Sequence, residues 1–211
     1  MNARGKTLSN AAYSSAGLYI EYLFGLIASI LVARALGPSD LGVYSLLVWI
    51  VSTAVIVANA GITTAAIKFV AELQGAGKPE LVGALVRKLQ RLQRLMLLVV
   101  AIAVSLLLLF GRHRLAPGLD VWVLALVVLS VLLRAPYMFG IALAKGAQDF
   151  RSVAMIAAVS ACFNLAMIVA ALAWRASLPV FLVIYAISGV VFFAMSRWRV
   201  SSVLAAARLA D

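Results

Sequence analysis

The sequence predicts an all-α integral membrane protein with six transmembrane helices. Of its 211 residues, 65% are hydrophobic and only 12% are charged, whereas a soluble domain is about half apolar and about a quarter charged. Six apolar stretches also approach the roughly 20 residues that a helix needs to cross a bilayer. A membrane β-barrel would alternate apolar and polar residues, and runs such as Leu95–Phe110 do not alternate. We therefore expect a bundle of membrane-spanning helices.

The predicted spans belong to one membrane domain over residues 1–211. They cover residues 13–36, 41–70, 95–110, 119–144, 152–174 and 178–196. The second span is too long for one perpendicular crossing, so we expect it to tilt or to protrude from the bilayer. The residues after the sixth span form a short tail of mixed composition.

A tight hairpin is predicted between the first two spans. Gly37 can adopt a positive φ and so end the first helix, and Pro38 has no N–H group with which to continue it. Ser39 and Asp40 can accept hydrogen bonds from the first N–H groups of the next helix. The local chemistry therefore predicts a helix stop followed at once by a helix start.

The basic residues indicate that both termini are cytoplasmic. If the N-terminus is cytoplasmic, thirteen of the 18 Lys and Arg residues fall on that side and four on the other, with Arg134 inside a span. Such an excess is the usual sign of the cytoplasmic side. The net charge of +11 is then explained by topology and by contact with anionic lipid, and we expect no nucleic-acid partner.

Residues 72–94 predict a basic amphipathic helix that lies in the cytoplasmic interface before the chain turns inward. Four leucines share one of its faces: Leu81, Leu85, Leu89 and Leu92. Four basic residues lie off that face and are candidates for lipid contact: Arg87, Lys88, Arg91 and Arg94. These cations either recruit an anionic lipid-linked substrate or, more simply, fix topology and bind anionic phospholipid headgroups.

Glu21, inside the first span, is a candidate coupling residue, because ionisable groups in hydrocarbon are costly and often functional. Gly17 and Gly25 lie one turn before and after it, and small residues let a neighbouring helix approach closely. Glu21 is therefore expected to face protein or a water-filled cavity. There it is either a titratable group for proton or cation coupling or a carboxylate hydrogen-bonded between helices.

Arg134 lies near the middle of the fourth span, two residues before Pro136. The proline frees the carbonyl of Leu132 from its intrahelical hydrogen bond, so the two groups can line a hydrophilic cavity. A planar guanidinium matches a pyrophosphate or an acidic sugar. The alternative is an ion pair with Glu21, and both arrangements can hold in different states.

Three uncharged polar residues complete the set of substrate-cavity candidates: Asn59 and Thr63 in the second span and Asn164 in the fifth. They either hold helices together by hydrogen bonds or line a cavity for sugar hydroxyls. Catalytic chemistry is not indicated. Cys162 and His113 are each the only residue of their type, so no metal-site spacing exists, and no phosphate-binding or nucleophile-elbow motif is present. We expect neither an enzyme nor a cofactor.

Three parts of the chain carry a family resemblance: Ala33–Pro38 with Leu41–Tyr44, Asn59–Ile62 with Ala65–Phe69, and Gly146–Arg151. They resemble bacterial polysaccharide flippases, which export lipid-linked oligosaccharides such as O-antigen and exopolysaccharide precursors and belong to the multidrug/oligosaccharidyl-lipid/polysaccharide superfamily. The stretch Gly146–Arg151 is similar to the family's turn between its fourth and fifth helices. Six spans with both ends cytoplasmic correspond to a single MATE-like N-terminal lobe of such a transporter.

The resemblance implies flipping of an undecaprenyl-pyrophosphate-linked oligosaccharide across the bacterial cytoplasmic membrane by alternating access. Family members usually have two six-helix lobes, so we expect a truncated product, a fragment of a longer reading frame, or one member of a pair. The partner would be a second lobe, a second copy or polysaccharide synthesis proteins. Two alternatives remain: a non-transporting membrane scaffold of a polysaccharide synthesis complex, and a relative of the multidrug or cation antiporters.

Overall fold

Helices account for nearly all of the described chain. The computed structural model describes residues 3–78, 80–115 and 120–208. Its helices are α1 (Ala3–Ala58), α2 (Ile62–Gly75), α3 (Glu80–Leu115), α4 (Val121–Gly146), α5 (Phe150–Ala173) and α6 (Leu178–Arg208). All except α2, which has 14 residues, are long and apolar enough to cross a membrane. The predicted all-α membrane fold is confirmed for this part of the chain.

Helix α1 consists of two arms, residues 3–36 and 38–58, that fold back on each other at Gly37. The φ of Gly37 is 71° and its ψ is 175°, a conformation open to a residue without a Cβ. Glu21 in the first arm and Val48 in the second line the same cavity. A straight helix would hold them about 40 Å apart at 1.5 Å per residue. The hairpin is therefore present. The two arms of α1, together with α3, α4, α5 and α6, give six segments that are long enough to span a membrane.

The predicted cap of the second arm is wrong in detail. Within the described residues, neither Ser39 nor Asp40 makes a side-chain hydrogen bond, and the helical backbone resumes directly after Gly37. A side-chain cap is found instead on α5, where Asp149 accepts a hydrogen bond of 3.1 Å from the backbone N–H of Ser152. The hairpin therefore depends on the backbone conformation of Gly37 and on Pro38.

The predicted second span, 41–70, is interrupted where α1 ends and α2 begins. Asn59 Nδ2 donates to the carbonyl of Val55, 3.0 Å away, and Gly61 has a φ of 74°. A side chain that bonds its own helix's carbonyls competes with the helical pattern, and the glycine accommodates the left-handed turn. The chain continues as α2 after a break of three residues, Asn59 to Gly61.

Helix α3 joins the predicted interfacial segment to the third span without a turn. Its first half is buried through Val82, Val86 and Gln93, whereas Leu81 and Leu92 are exposed. The predicted apolar face is thus buried only in part: Leu85 and Leu89 pack against the apolar cluster that α2 and α4 share with Val82 and Val86. The first half of α3 therefore packs against protein and does not lie apart in the interface. Pro79, a residue type that is common in the first turn of a helix, precedes α3 and lies outside the described residues.

Helices pack most closely where one of them has a glycine at the contact. A Cβ on Gly17 would lie 3.0 Å from Ala154 Cα on α5, and a Cβ on Gly140 would lie 2.7 Å from Ser196 Cβ on α6. Small residues of this kind allow helices to pack closely in membranes. The first arm also shares an apolar cluster with the later part of α5, through Val32 and its neighbours. The first arm and α5 therefore run side by side in the same direction.

Candidate functional site: a polar cavity between the arms of α1 and helices α4 to α6

A cavity of about 330 Å³ lies between the two arms of α1 and helices α4, α5 and α6. Three of the predicted site residues line it: Glu21, Arg134 and Asn164. Other polar side chains in the lining are Ser29, Tyr44, Tyr137, Ser160 and Tyr185. Each of the surrounding segments thus contributes at least one polar group to a bundle whose remaining surface is mostly apolar. The cavity is the candidate functional site.

Arg134 is held in this cavity by α6. Its Nη2 donates hydrogen bonds to the carbonyl of Tyr185 at 3.2 Å and to Ser188 Oγ at 3.0 Å. The guanidinium carbon lies 3.7 Å from the centroid of the Tyr185 ring and 5.0 Å from that of Phe192, within the range of cation–π attraction. These contacts fix the plane of the guanidinium, and all of them come from neutral groups.

The guanidinium also has unused hydrogen-bonding capacity. Arg134 Nε is buried and has no hydrogen-bond partner within the described residues, although a buried N–H without a partner costs about 1–3 kcal/mol. No ion pair joins Arg134 to Glu21 in the described structure, so the predicted ion pair is absent from this state. The cavity therefore contains a positive charge whose fixed contacts leave an N–H group without an acceptor.

Glu21 lies on the cavity wall formed by the first arm, and its side chain is exposed. The flanking glycines have different roles. Gly17 is the site of close contact with α5, whereas a Cβ on Gly25 would meet nothing within 4 Å. Gly25 also lines the cavity, so its missing side chain enlarges the space beside Glu21. The expectation that Glu21 faces a cavity agrees with this geometry.

Asn59 and Thr63 do not line this cavity. Asn59 is buried, and its Oδ1 accepts a hydrogen bond of 2.9 Å from Gln93 Nε2. Asn59 Nδ2 and Gln93 Nε2 also donate to the carbonyl of Ala135, at 3.1 Å and 2.9 Å. This network joins the end of α1 to α3 and α4 immediately before Pro136. The interpretation of Asn59 as a residue that holds helices together is therefore the one that fits the structure.

The matching family model covers nearly the whole chain. A model described as polysaccharide biosynthesis protein matches residues 7–209. The chain belongs to this family. No curated protein and no solved structure gives a significant match. Together with the five long apolar helices, family membership shows a multi-pass membrane protein with a role in polysaccharide biosynthesis or export.

The polar groups in the cavity of this polysaccharide biosynthesis protein can be described by what they are able to bind. The family is generally transporter-like rather than catalytic, and no group of three or more His, Cys, Asp or Glu side chains that could hold a metal occurs in the described part of the chain. The described residues that line the cavity supply one fixed cation, one carboxylate, one amide and several hydroxyl groups. Such a set can bind an anion or sugar hydroxyls and can exchange a proton.

Sequence reasoning missed three tyrosines of this cavity and one residue of the neighbouring hydrogen-bond network. The tyrosines Tyr44, Tyr137 and Tyr185 line the cavity, although none of them was a predicted site residue. Gln93 was not singled out, although it is an uncharged polar residue at the edge of an apolar run and is 4% exposed. A polar side chain in that position is itself a signal, because it requires hydrogen-bond partners from neighbouring helices.

Proposed function

We propose that this chain forms one lobe of a transporter that flips an undecaprenyl-pyrophosphate-linked oligosaccharide across the bacterial cytoplasmic membrane by alternating access. Membership of the polysaccharide biosynthesis family supports the general role. The observation that supports this particular function is Arg134, a cation fixed inside the bundle whose buried Nε–H has no acceptor among the described residues. A phosphate or pyrophosphate group supplies acceptors that fit such a cation.

In this proposal Arg134 attracts the charged headgroup of the substrate. Charge-assisted hydrogen bonds between a guanidinium and a phosphate are among the stronger polar contacts in proteins. Tyr185 and Phe192 hold the guanidinium in place, so little side-chain entropy is lost on binding. A volume of about 330 Å³ is at the lower end for ligand pockets. The cavity therefore takes the headgroup phosphates or a single sugar, and the rest of the oligosaccharide lies outside it.

Glu21 is the proposed coupling residue. It shares the cavity with Arg134 but is not paired with it in the described structure, so its charge acts on whatever occupies the space between them. An ionised Glu21 and a bound anion repel each other, whereas a protonated Glu21 can donate a hydrogen bond. Proton binding and substrate binding therefore favour each other, and such linkage is reciprocal.

The proposed mechanism needs a second body against which this lobe can rock. The second body is a second lobe, a second copy of this chain or another polysaccharide synthesis protein. The excess of basic residues on one side supports cytoplasmic termini, so that the headgroup enters from the cytoplasmic leaflet. The lipid tail stays in the bilayer while the headgroup crosses.

Proteoliposomes that contain the purified chain test this proposal in the form in which the second body is a second copy of the chain. A polyprenyl-pyrophosphate oligosaccharide with a fluorescent sugar is placed in both leaflets, and a membrane-impermeant quencher reports how fast the protected fraction becomes accessible. We expect protein-dependent flipping that responds to a pH gradient. The scaffold alternative predicts no flipping above empty vesicles, together with co-purification with polysaccharide synthesis proteins.

A further inference from the structure

A second cavity, which we call the α3–α6 groove, lies on the other side of α4 from Arg134. It has a volume of about 600 Å³ and is formed by α3, α4 and α6. Arg94, Arg197 and Trp198 line it towards the N-terminal end of α3 and the C-terminal end of α6, while Leu97 and Leu132 line it further along. The groove thus has a cationic end and an apolar end.

The cationic end has no compensating negative charge in its lining. Arg94 and Arg197 are exposed, and none of the described residues that line the groove is acidic. The guanidinium carbon of Arg197 lies 5.6 Å from the centroid of the Phe193 ring, which holds this side chain along the groove wall. Two arginines from different helices therefore converge on one opening.

Gln93 supplies a second, independent indication of a ligand. The side chain is 4% exposed, and both of its hydrogen bonds are donated by Nε2, to Asn59 Oδ1 and to the carbonyl of Ala135. Its Oε1 has no hydrogen-bond partner among the described residues, and Gln93 is one of the residues that line the groove. A nearly buried acceptor beside two cations fits a ligand that has both a phosphate and a hydroxyl group.

We propose that the α3–α6 groove binds an anionic glycerophospholipid whose headgroup contains a hydroxyl. The phosphate lies between Arg94 and Arg197, the hydroxyl donates to Gln93 Oε1, and an acyl chain follows the apolar wall at Leu97 and Leu132. Helix α4 separates this groove from the Arg134 cavity, so a lipid bound here is distinct from a flipped substrate. The bound lipid bridges α3 and α6 beside Pro136, which also lines the groove.

Native mass spectrometry of the intact chain tests the site. The protein is released from detergent after incubation with phosphatidylglycerol, phosphatidylcholine or undecaprenyl pyrophosphate. We expect retention of one phosphatidylglycerol in preference to the other two lipids. Each Lys or Arg near an anionic headgroup contributes about 1 kcal/mol of attraction, which corresponds to about a fivefold change in affinity. Each single variant, Arg94→Gln or Arg197→Gln, should therefore weaken phosphatidylglycerol binding about fivefold, and the double variant about thirtyfold.

The matched control is Arg87→Gln with Arg91→Gln, which removes two exposed cations of α3 that do not line the groove. We expect this pair to reduce phosphatidylglycerol retention less than threefold. An equal loss in the control, or tighter retention of undecaprenyl pyrophosphate or phosphatidylcholine, would overturn the proposal. The single variants keep the test decisive if the double variant does not fold.

Discussion

The buried network around Gln93 gives a prediction whose size can be worked from the structure. Gln93→Leu keeps a side chain of similar bulk but removes the hydrogen bonds from Nε2 to Asn59 Oδ1 and to the carbonyl of Ala135, each 2.9 Å long. Interhelical hydrogen bonds in membrane proteins contribute about 0.6 kcal/mol each on average. Their loss therefore costs about 1.2 kcal/mol before any other effect is counted.

The larger cost comes from the groups that the substitution leaves behind. Asn59 is 5% exposed, and its Oδ1 has no other hydrogen-bond donor among the described residues. A buried acceptor without a donor costs about 1–3 kcal/mol. The Ala135 carbonyl still accepts from Asn59 Nδ2 at 3.1 Å, so it adds little. We therefore expect Gln93→Leu to lower the free energy of unfolding by about 2–4 kcal/mol.

The assay is reversible unfolding in mixed micelles, followed by circular dichroism as the fraction of denaturing detergent rises. The matched control is Gln90→Leu on the same helix, because Gln90 makes no side-chain hydrogen bond within the described residues. Its effect is expected to be within about 0.5 kcal/mol. Asn59→Leu should lower the free energy of unfolding less in the Gln93→Leu background than in the wild type. In that background the second substitution removes Asn59 Oδ1, the acceptor that Gln93→Leu had left without a donor. Equal effects of Gln93→Leu and Gln90→Leu would refute the reasoning.

Three further substitutions test other parts of the structure. Gly140→Ala brings a Cβ to 2.7 Å from Ser196 Cβ, so it should lower the free energy of unfolding by about 1–3 kcal/mol in the same assay; no change would show that α4 and α6 can separate freely. Gly25→Leu meets no atom within 4 Å at its Cβ and places its side chain in the Arg134 cavity. It should abolish flipping in proteoliposomes without loss of stability, and normal flipping would show that the cavity is not used. Glu21→Gln should make flipping insensitive to a pH gradient, and a retained response would exclude Glu21 as the coupling group.

The hairpin could be predicted from the sequence because it depends on two adjacent residues. The polar cavity could be predicted because polar side chains are energetically costly in hydrocarbon. Gly37 and Pro38 break a helix wherever they occur together, so the turn needed no knowledge of the neighbours. Glu21, Arg134 and Asn164 were selected because polar side chains in hydrocarbon must meet protein or water, and the structure brings all three to one cavity. Which groups would pair could not be predicted. The partners of Arg134 on α6 lie more than fifty residues further along the chain.

The buried side of α3 could not be predicted for a different reason. Lipid tails are as apolar as leucine, so a bilayer gives no hydrophobic preference for burying Leu81 and Leu92 over Val82 and Val86. The choice depends on the shape of α2 and α4, which contact the valine side. The break at Asn59 was missed because it depends on a side-chain hydrogen-bond network that includes α3 and α4.

The flipping rate of an Arg134→Ala variant in proteoliposomes tests the central claim most directly. The control is Arg34→Ala, which removes an exposed arginine near the hairpin that does not line the cavity. Loss of one charge-assisted contact of about 1.5–3 kcal/mol predicts a decrease of roughly ten- to a hundredfold for Arg134→Ala, with partial recovery in Arg134→Lys. The control should flip at the wild-type rate. Wild-type flipping by a folded Arg134→Ala variant would contradict the assignment of this cavity as the site of headgroup binding.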